Sequence, residues 1–221
     1  MLIVAIPKSA STALMETLAT AHGMPCDMHY KWKGPQSDGF DKFSLQHPAF
    51  CCDLSDHDVE VLTARDVLYK THVVPSNGNL SRLRDAKKVV LLRSAEGVIG
   101  AYRRGEETGV YKQKSDTFKG CRTESEWLDR AREAGLLQDL ARYERRWRKA
   151  GGDQLLVEYD DLMNNTQAQI TRIEAYFGLP SSNVSELLKR KYTRAGEASL
   201  PLHRQTVDKW KQVGRSNLPT R

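Results

Sequence analysis

Between the short apolar run Leu2 to Ile6 and a stretch with apolar residues at helical spacing lies the turn Pro7-Lys8-Ser9-Ala10-Ser11-Thr12. A turn of this kind presents backbone N–H groups, hydroxyls and one ammonium at the positive end of a helix dipole, which makes an anion cradle. It is not an ordinary nucleotide phosphate loop, because G-x-x-x-x-G-K-[ST] is absent. On this motif alone, a serine N-cap beside an exposed lysine accounts for the residues equally well. Arg93 closes a second apolar run, KVVLLR; an arginine there is a poor core residue unless paired, and its planar fork suits phosphate. The plainer alternative is a salt bridge to Glu96. His72 stands two positions after Lys70, and a neutral imidazole is suited to taking a proton near neutral pH. Away from any wider context, a hydrogen-bonded histidine at a strand end and an ordinary helix charge at Glu16 explain those two residues.

The elements that must position these groups alternate. Leu2–Ile6 reads as a strand apolar on both faces, and Leu14, Leu18 and Ala21 as the helix after the turn, stopped by Gly23 and Pro25. Residues 23–52 show no period and read as a long irregular connection, of the kind that is usually functional. Ser55 and Asp58 have capping-box-like spacing ahead of a short helix. Val67–Thr71 and Lys88–Arg93 read as the second and third strands, and Glu96–Arg104 as a helix. A mobile loop is expected over 105–123, then helices over Trp127–Ala134 and Leu136–Ala150. Gln154–Tyr159 reads as a fourth strand and Asn165–Phe177 as a helix ending at Gly178 and Pro180. This is an α/β pattern: one domain over 1–221, a central parallel sheet with helices on both faces, and ligands at the carboxyl ends of the strands. Residues 193–221 are basic and weakly patterned around Trp210, and read as an extended flap.

With 34 Lys plus Arg against 28 Asp plus Glu the formal charge is +6, which favours an anionic partner without choosing between nucleic acid, membrane and polyphosphate. The four cysteines, Cys26, Cys51, Cys52 and Cys121, form no CxxC pair, so a reducing compartment is expected. The apolar start is too short for a signal-peptide core and no long apolar run follows, so no membrane segment and a cytoplasmic location are expected. Sequons at Asn79, Asn164 and Asn183 carry no weight without a secretory signal. No carboxylate or histidine cluster has metal-ligand spacing, and no metal is expected.

Taken together, four segments resemble the family of sulfotransferases that use 3′-phosphoadenosine 5′-phosphosulfate (PAPS). PKSASTAL resembles the family's PKSGTTW phosphosulfate loop, written with Ala-Leu in the heparan-type branch. YKTHVVP (Tyr69–Pro75) resembles its KTH-x-P segment, VVLLRSAEGVIGAYRR (Val89–Arg104) its 3′-phosphate strand and helix, and VEYDDL (Val157–Leu162) its YEDL segment. The four occur in family order over roughly the first four-fifths of the chain. The resemblance implies a P-loop-like sulfotransferase fold, with Lys8 on the bridging and sulfuryl oxygens. It also puts the loop residues Ser9, Ala10, Ser11 and Thr12 around the 5′-phosphate and Arg93 on the 3′-phosphate. Tyr159, matched to the YEDL tyrosine, becomes a candidate for the adenine. His72 is the implied general base, with Glu16 as the alternative that heparan-type members place on the first helix, and Lys70 joins Lys8 in neutralising the leaving oxygen. The sequence departs from the pattern at Ala101, where the family has a phosphate-binding hydroxyl that Tyr102 or the tail must replace. It departs again at Ala13, where the cytosolic branch has a stacking tryptophan, and it lacks the RKG signature. Arg194, Lys209 and Lys211 of the tail are further candidates for the nucleotide.

The expected reaction is in-line transfer of a sulfuryl group from PAPS to a hydroxyl or amine. The acceptor is not legible in the loops, nor is the oligomeric state. A nucleotide kinase-like phosphotransferase is the nearest alternative, and it would need a metal. A non-enzymatic nucleic-acid binder is the other, suggested by the net charge and by the basic run Arg142 to Lys149, although no nucleic-acid partner is expected.

Overall fold

Leu2, Ile3, Val4 and Ala5 are apolar at every position because both faces of the strand they form are covered. In the computed structural model, which describes residues 1–28, 30, 32–47, 50–109 and 116–184, this strand, β1 (Leu2–Ala5), lies at the centre of a five-stranded sheet. The other strands are β2 (Cys26–Asp27), β3 (Leu68–Thr71), β4 (Lys88–Leu92) and β5 (Gln154–Glu158), in the spatial order β2-β3-β1-β4-β5. All pairings are parallel, with Ile3 opposite Lys70 on one side and Val89 on the other. The register brings the ends of β1, β3 and β4 to one edge, so the segments that follow them emerge side by side.

Alternate residues serve two cores. Ile3, Ala5, Val89, Leu91 and Val157 pack with Leu14 and Leu18 of α1 (Ser11–His22) and with Ile170 and Ile173 of α9 (Thr166–Phe177). Leu2, Val4, Val90 and Leu92 belong to the core on the other face. There they join Val98, Ile99 and Tyr102 of α5 (Ala95–Glu107), Trp127 of α6 (Glu124–Glu133) and Leu140, Tyr143 and Trp147 of α7 (Leu136–Lys149). Shorter helices complete the chain: α2 (Asp41–Gln46), α3 (Asp56–Leu62), α4 (Asn77–Arg82) and α8 (Tyr159–Asn164). The α/β fold with a parallel sheet covered on both faces is therefore as the alternation predicts. No helix of the described residues is long and apolar enough to cross a membrane.

Several boundaries differ from the sequence expectation. The sheet has five strands, because the connection over 23–52 contains β2 and α2, and Gln36 makes an isolated antiparallel bridge with Cys52. A two-residue edge strand has no period to read. The first strand stops at Ala5, the third at Leu92, and the fourth expected strand at Glu158, since Tyr159 already opens α8. Over 105–123 the helix α5 continues to Glu107 and a short 3-10 turn covers Asp116–Phe118. The capping box forms as spaced: Ser55 Oγ accepts from the Asp58 N–H, and the Asp58 carboxylate accepts from the Ser55 N–H. The expected flap over 193–221, with Arg194, Lys209, Trp210 and Lys211, lies outside the described residues.

One buried contact ties the sheet to the segment after β3. The Trp147 indole N–H donates to the Val73 carbonyl at 3.2 Å, and both side chains are fully buried. Trp147→Phe keeps most of the ring and leaves that carbonyl without its indole donor. Chemical denaturation should show a loss of about 1–3 kcal/mol, the cost of a buried polar group losing its partner. An unchanged midpoint would mean that the carbonyl finds another donor at no cost.

Candidate active site

The turn that leaves β1 is bent by two residues in the left-handed region, Lys8 at φ 61° and Ala10 at φ 62°. Neither is glycine, and each costs on the order of 1 kcal/mol or more in this conformation. Three contacts hold the bend. The fully buried Ser9 hydroxyl donates to the Ile6 carbonyl at 2.7 Å, the Ile6 N–H donates to Leu91 of β4 at 3.0 Å, and an Arg93 guanidinium N–H donates to the Lys8 carbonyl at 2.5 Å. Ala10 is the N-cap of α1 and supplies no side-chain cap. The start of α1 therefore opens towards the turn with backbone N–H groups that no side chain of the N-cap occupies. Ser11 is buried in the first turn of α1, and Thr12 is half-buried beside it.

Arg93 follows β4 directly and is braced from two sides. Beyond its bond to the Lys8 carbonyl, its guanidinium carbon sits 3.8 Å from the centre of the Tyr159 ring, a stacked cation–π contact. A side chain at Gly97 would come within 2.9 Å of Arg93 Nε, so the glycine is what leaves the arginine its place. Among the described residues no ion pair joins Arg93 to Glu96.

The segment after β3 sets an imidazole beside a lysine of that strand. His72 donates from Nδ1 to the Ala5 carbonyl at 2.6 Å, which leaves Nε2 as the nitrogen with the lone pair, 3.0 Å from Lys70 Nζ. The Ala5 carbonyl also accepts from the Tyr143 hydroxyl at 3.0 Å. The end of β1 thus fixes the imidazole that belongs to β3. Both Lys70 and His72 are only 8% exposed. Burial, reinforced by Lys70, His47 and Lys8, holds His72 well below its usual 6.5. Burial together with Lys8 pushes Lys70 down to about 8, and burial brings Lys8 to about 8 as well. Among the described residues, the charges acting on Lys70 and His72 are positive.

The structure thus brings Lys70 against His72, and Arg93 against both the Lys8 backbone and Tyr159. Glu16 stands half-buried on the second turn of α1, where its carbonyl accepts from the Thr20 hydroxyl at 2.7 Å. Tyr102, the candidate to replace the missing hydroxyl at Ala101, lies on the core-facing side of α5. It is fully buried, and its hydroxyl meets His47 Nε2 at 2.6 Å. His47 and Tyr143 carry no sequence signal that would have joined them to the site, since they come from a loop and a helix distant in the chain, and Tyr102 stands out in the sequence only as a stand-in for the hydroxyl at Ala101. Among the described residues no group of three or more His, Cys, Asp or Glu side chains is arranged to hold a metal.

The stability of the ligand-free protein should follow these titrations. Between pH 8 and 10.5 the unfolded chain keeps protons on Lys8 and Lys70 that the folded chain has lost, so these two lysines make stability rise with pH, while the Cys51 thiol and the Tyr143 phenol, held protonated by burial, act the other way above pH 9 and 10. Below pH 6.5 the unfolded chain protonates His72 first, so stability falls as the solution becomes more acidic. Urea denaturation at constant ionic strength should show both slopes, and Lys70→Met should reduce the alkaline one. If that variant keeps the full alkaline rise, Lys70 is not a source of it.

No family model and no curated protein matches the sequence. Among solved structures, that of mouse sulfotransferase SULT7A1 complexed with PAP matches over 86% of this chain, with a TM-score of 0.54 and 12% identity. The chain spans 62% of the length of that protein. A sulfotransferase from Alicyclobacillus acidocaldarius matches over 87% of this chain and 88% of its own, with a TM-score of 0.53 and 13% identity. At these identities the likeness is one of architecture: this chain has the fold of these sulfotransferases.

Proposed function

We propose that the chain is a PAPS-dependent sulfotransferase that moves a sulfuryl group onto a hydroxyl or amine. The observation that carries this reading is the cluster of half-buried Lys8 with buried Lys70 and His72 at the carboxyl ends of β1 and β3, where the two ammonium groups repel each other. Such a cluster calls for an anion that neutralises it, and the uncapped start of α1 adds backbone N–H donors beside it. The nucleotide's 5′-phosphosulfate lies over the turn Lys8-Ser9-Ala10-Ser11-Thr12, and its 3′-phosphate meets Arg93. Tyr159 stacks under Arg93 and stands towards the base. The whole chain, 1–221, acts as one domain, with 193–221 as its basic flap. The four cysteines are free, as suits a reducing, cytoplasmic compartment.

In the reaction His72 Nε2 takes the proton of the acceptor O–H or N–H while the acceptor atom forms its bond to sulfur. The bond from sulfur to the 5′-phosphate oxygen breaks, and its electron pair stays on that oxygen. Lys8 and Lys70 neutralise the charge as it develops there. Because the Lys70 ammonium lies against His72 Nε2 in the free protein, it must turn towards the phosphosulfate before the base can act. His72 rather than Glu16 fills the role of base in this scheme, since its tautomer is fixed with Nε2 as the accepting nitrogen.

The charge distribution weighs against the nucleic-acid reading. Residues 1–184 contain 25 Lys plus Arg and 25 Asp plus Glu, and 185–221 contain 9 and 3, so the whole excess of 9 − 3 = +6 is in the terminal segment. The basic helix α7 also spends Arg148 on Glu144 and Glu158 and turns Arg142 to the Gly39 carbonyl.

Adenosine 3′,5′-bisphosphate should raise the melting temperature without magnesium, and Arg93→Ala should weaken that binding. With labelled PAPS and a panel of phenol, alcohol, sugar and amine acceptors, at least one acceptor should become labelled. For that acceptor kcat/KM should be bell-shaped. The acid limb should lie below pH 6.5, where His72 gains its proton, and the alkaline limb near 8, where Lys8 and Lys70 lose theirs. Lys8→Met should lower kcat by more than it raises the bisphosphate dissociation constant. Absence of bisphosphate binding together with magnesium-dependent ATP turnover would replace this reading with phosphotransfer.

A further inference from the structure

The Lys8 side chain has a neighbour that the phosphosulfate loop does not explain. Its Nζ lies 5.6 Å from the centre of the Tyr102 ring, within the range where an ammonium is drawn to an aromatic face. Tyr102 is fully buried in α5, and its hydroxyl is 2.6 Å from His47 Nε2. The two rings lie edge to edge and nearly parallel, with centres 6.1 Å apart and planes at 26°. The His47 ring is also 5.5 Å from that of His72 and 5.1 Å from that of Phe43. Its backbone is pinned in turn, because the His47 N–H donates to the Phe43 carbonyl at 2.9 Å and its own carbonyl accepts from the Phe50 N–H at 3.1 Å.

A buried tyrosine that has found a partner for its hydroxyl is ordinary core chemistry. What sets Tyr102 apart is the group above its ring. Lys8 is a desolvated ammonium on a backbone in the left-handed region, and it acts on Lys70 as a like charge. Besides Lys70 of β3, Lys8 acts on His72 after it, and Arg93 after β4 holds the Lys8 carbonyl. The face of Tyr102 supplies electron density in this company. Phenol is a stronger acid than neutral imidazole N–H, and imidazole nitrogen a stronger base than phenol oxygen, so the favoured pairing is O–H donating to Nε2. Donation in that sense leaves more electron density on the ring, which strengthens its hold on the ammonium.

We propose that Tyr102, with its hydroxyl held by His47, is a positioning residue for sulfuryl transfer. Its ring face keeps the Lys8 ammonium charged and aimed at the transferring group. This rests on the sulfotransferase reading for its catalytic consequence, but the hold on Lys8 is a property of the free protein and is measured without any substrate. The two can therefore fail separately.

The experiment compares Tyr102→Phe, His47→Phe, His47→Gln and the double variant Tyr102→Phe/His47→Phe, each checked by circular dichroism and melting. Trace acetylation across a pH series, read by mass spectrometry at Lys8, gives the titration of that amine in the ligand-free protein. Tyr102→Phe keeps the ring and its volume, so it should lower the Lys8 midpoint and reduce kcat by about 3–10-fold, with bisphosphate affinity little changed. His47→Phe should do the same, and the double variant no more than either alone, since both act through one hydrogen bond. His47→Gln, whose amide oxygen still accepts from the hydroxyl, should recover most of what His47→Phe loses. Unchanged Lys8 titration in folded Tyr102→Phe overturns the proposal, as does full additivity of the two single variants. Should the His47 variants not fold, Tyr102→Phe decides alone through the titration. Failure of the wild-type protein to bind the bisphosphate or to transfer sulfuryl would remove the sulfotransferase reading while the titration still decides the hold on Lys8.

Discussion

Two ammonium groups and an imidazole share a desolvated corner, and among the described residues the charges that act on Lys70 and His72 are positive. Ordinarily a chain avoids such an arrangement, because a charge removed from water is stabilised only by an opposite partner. Here the neutral form of His72 relieves part of the conflict by accepting from Lys70, and the lowered affinity of both lysines for their protons relieves more. The remaining strain is held by the sheet. β1 and β3 are rigid neighbours, so Lys70 and His72 cannot drift away from the turn that carries Lys8.

The carbonyl of Ala5 is the pivot of that corner. It ends β1, and it accepts both from His72 and from Tyr143 of α7. The tautomer of His72 is thereby set by the end of a neighbouring strand, and the helix over that strand helps to fix the same oxygen. One residue further on, the Trp147 indole holds the Val73 carbonyl. Helix α7 therefore braces both the end of β1 and the segment after β3, although its exposed face looks like a plain basic surface. Tyr143 and Trp147 owe their places on the buried face to their spacing of four residues, which stacks them along one side of the helix.

Much of the architecture was legible because parallel strands buried on both faces leave long apolar runs, as at Lys88–Leu92, and because helices end in recognisable residues such as Gly23 and Gly178. What escaped has a physical reason in each case. Cys26–Asp27 is too short to show a period, and Asn77–Arg82 is a polar helix whose Ser76 cap resembles any turn. Tyr159 sits where an apolar strand passes into a helix, so its side of the boundary depends on the packing of α8. For the site, Lys8 and Arg93 stood out through residue type and position after strands, while Lys70 and His72 stood out through the resemblance of YKTHVVP to a known segment. His47 did not stand out, and Tyr102 did so only for its hydroxyl, because an aromatic ring on a core-facing helix position and a histidine in an aperiodic loop look the same whether or not an ammonium lies beside them.

The strained turn shows how these contacts depend on one another. Ala10 adopts a conformation that glycine would enter without a steric penalty, and Lys8 does the same two residues earlier. Strain of this kind persists only where the surroundings over-determine it. The surroundings here are the Ser9 hydroxyl on Ile6, the Arg93 guanidinium on the Lys8 carbonyl and the Tyr102 ring under the Lys8 ammonium. The first holds the turn to the end of β1, the second ties it to β4, and the third sets the direction of the side chain from α5. Arg93 thus has a structural task before it meets any phosphate. A cation that braces the loop from below is also positioned beside it, so the group that stabilises the bend and the group suited to a second phosphate are one residue.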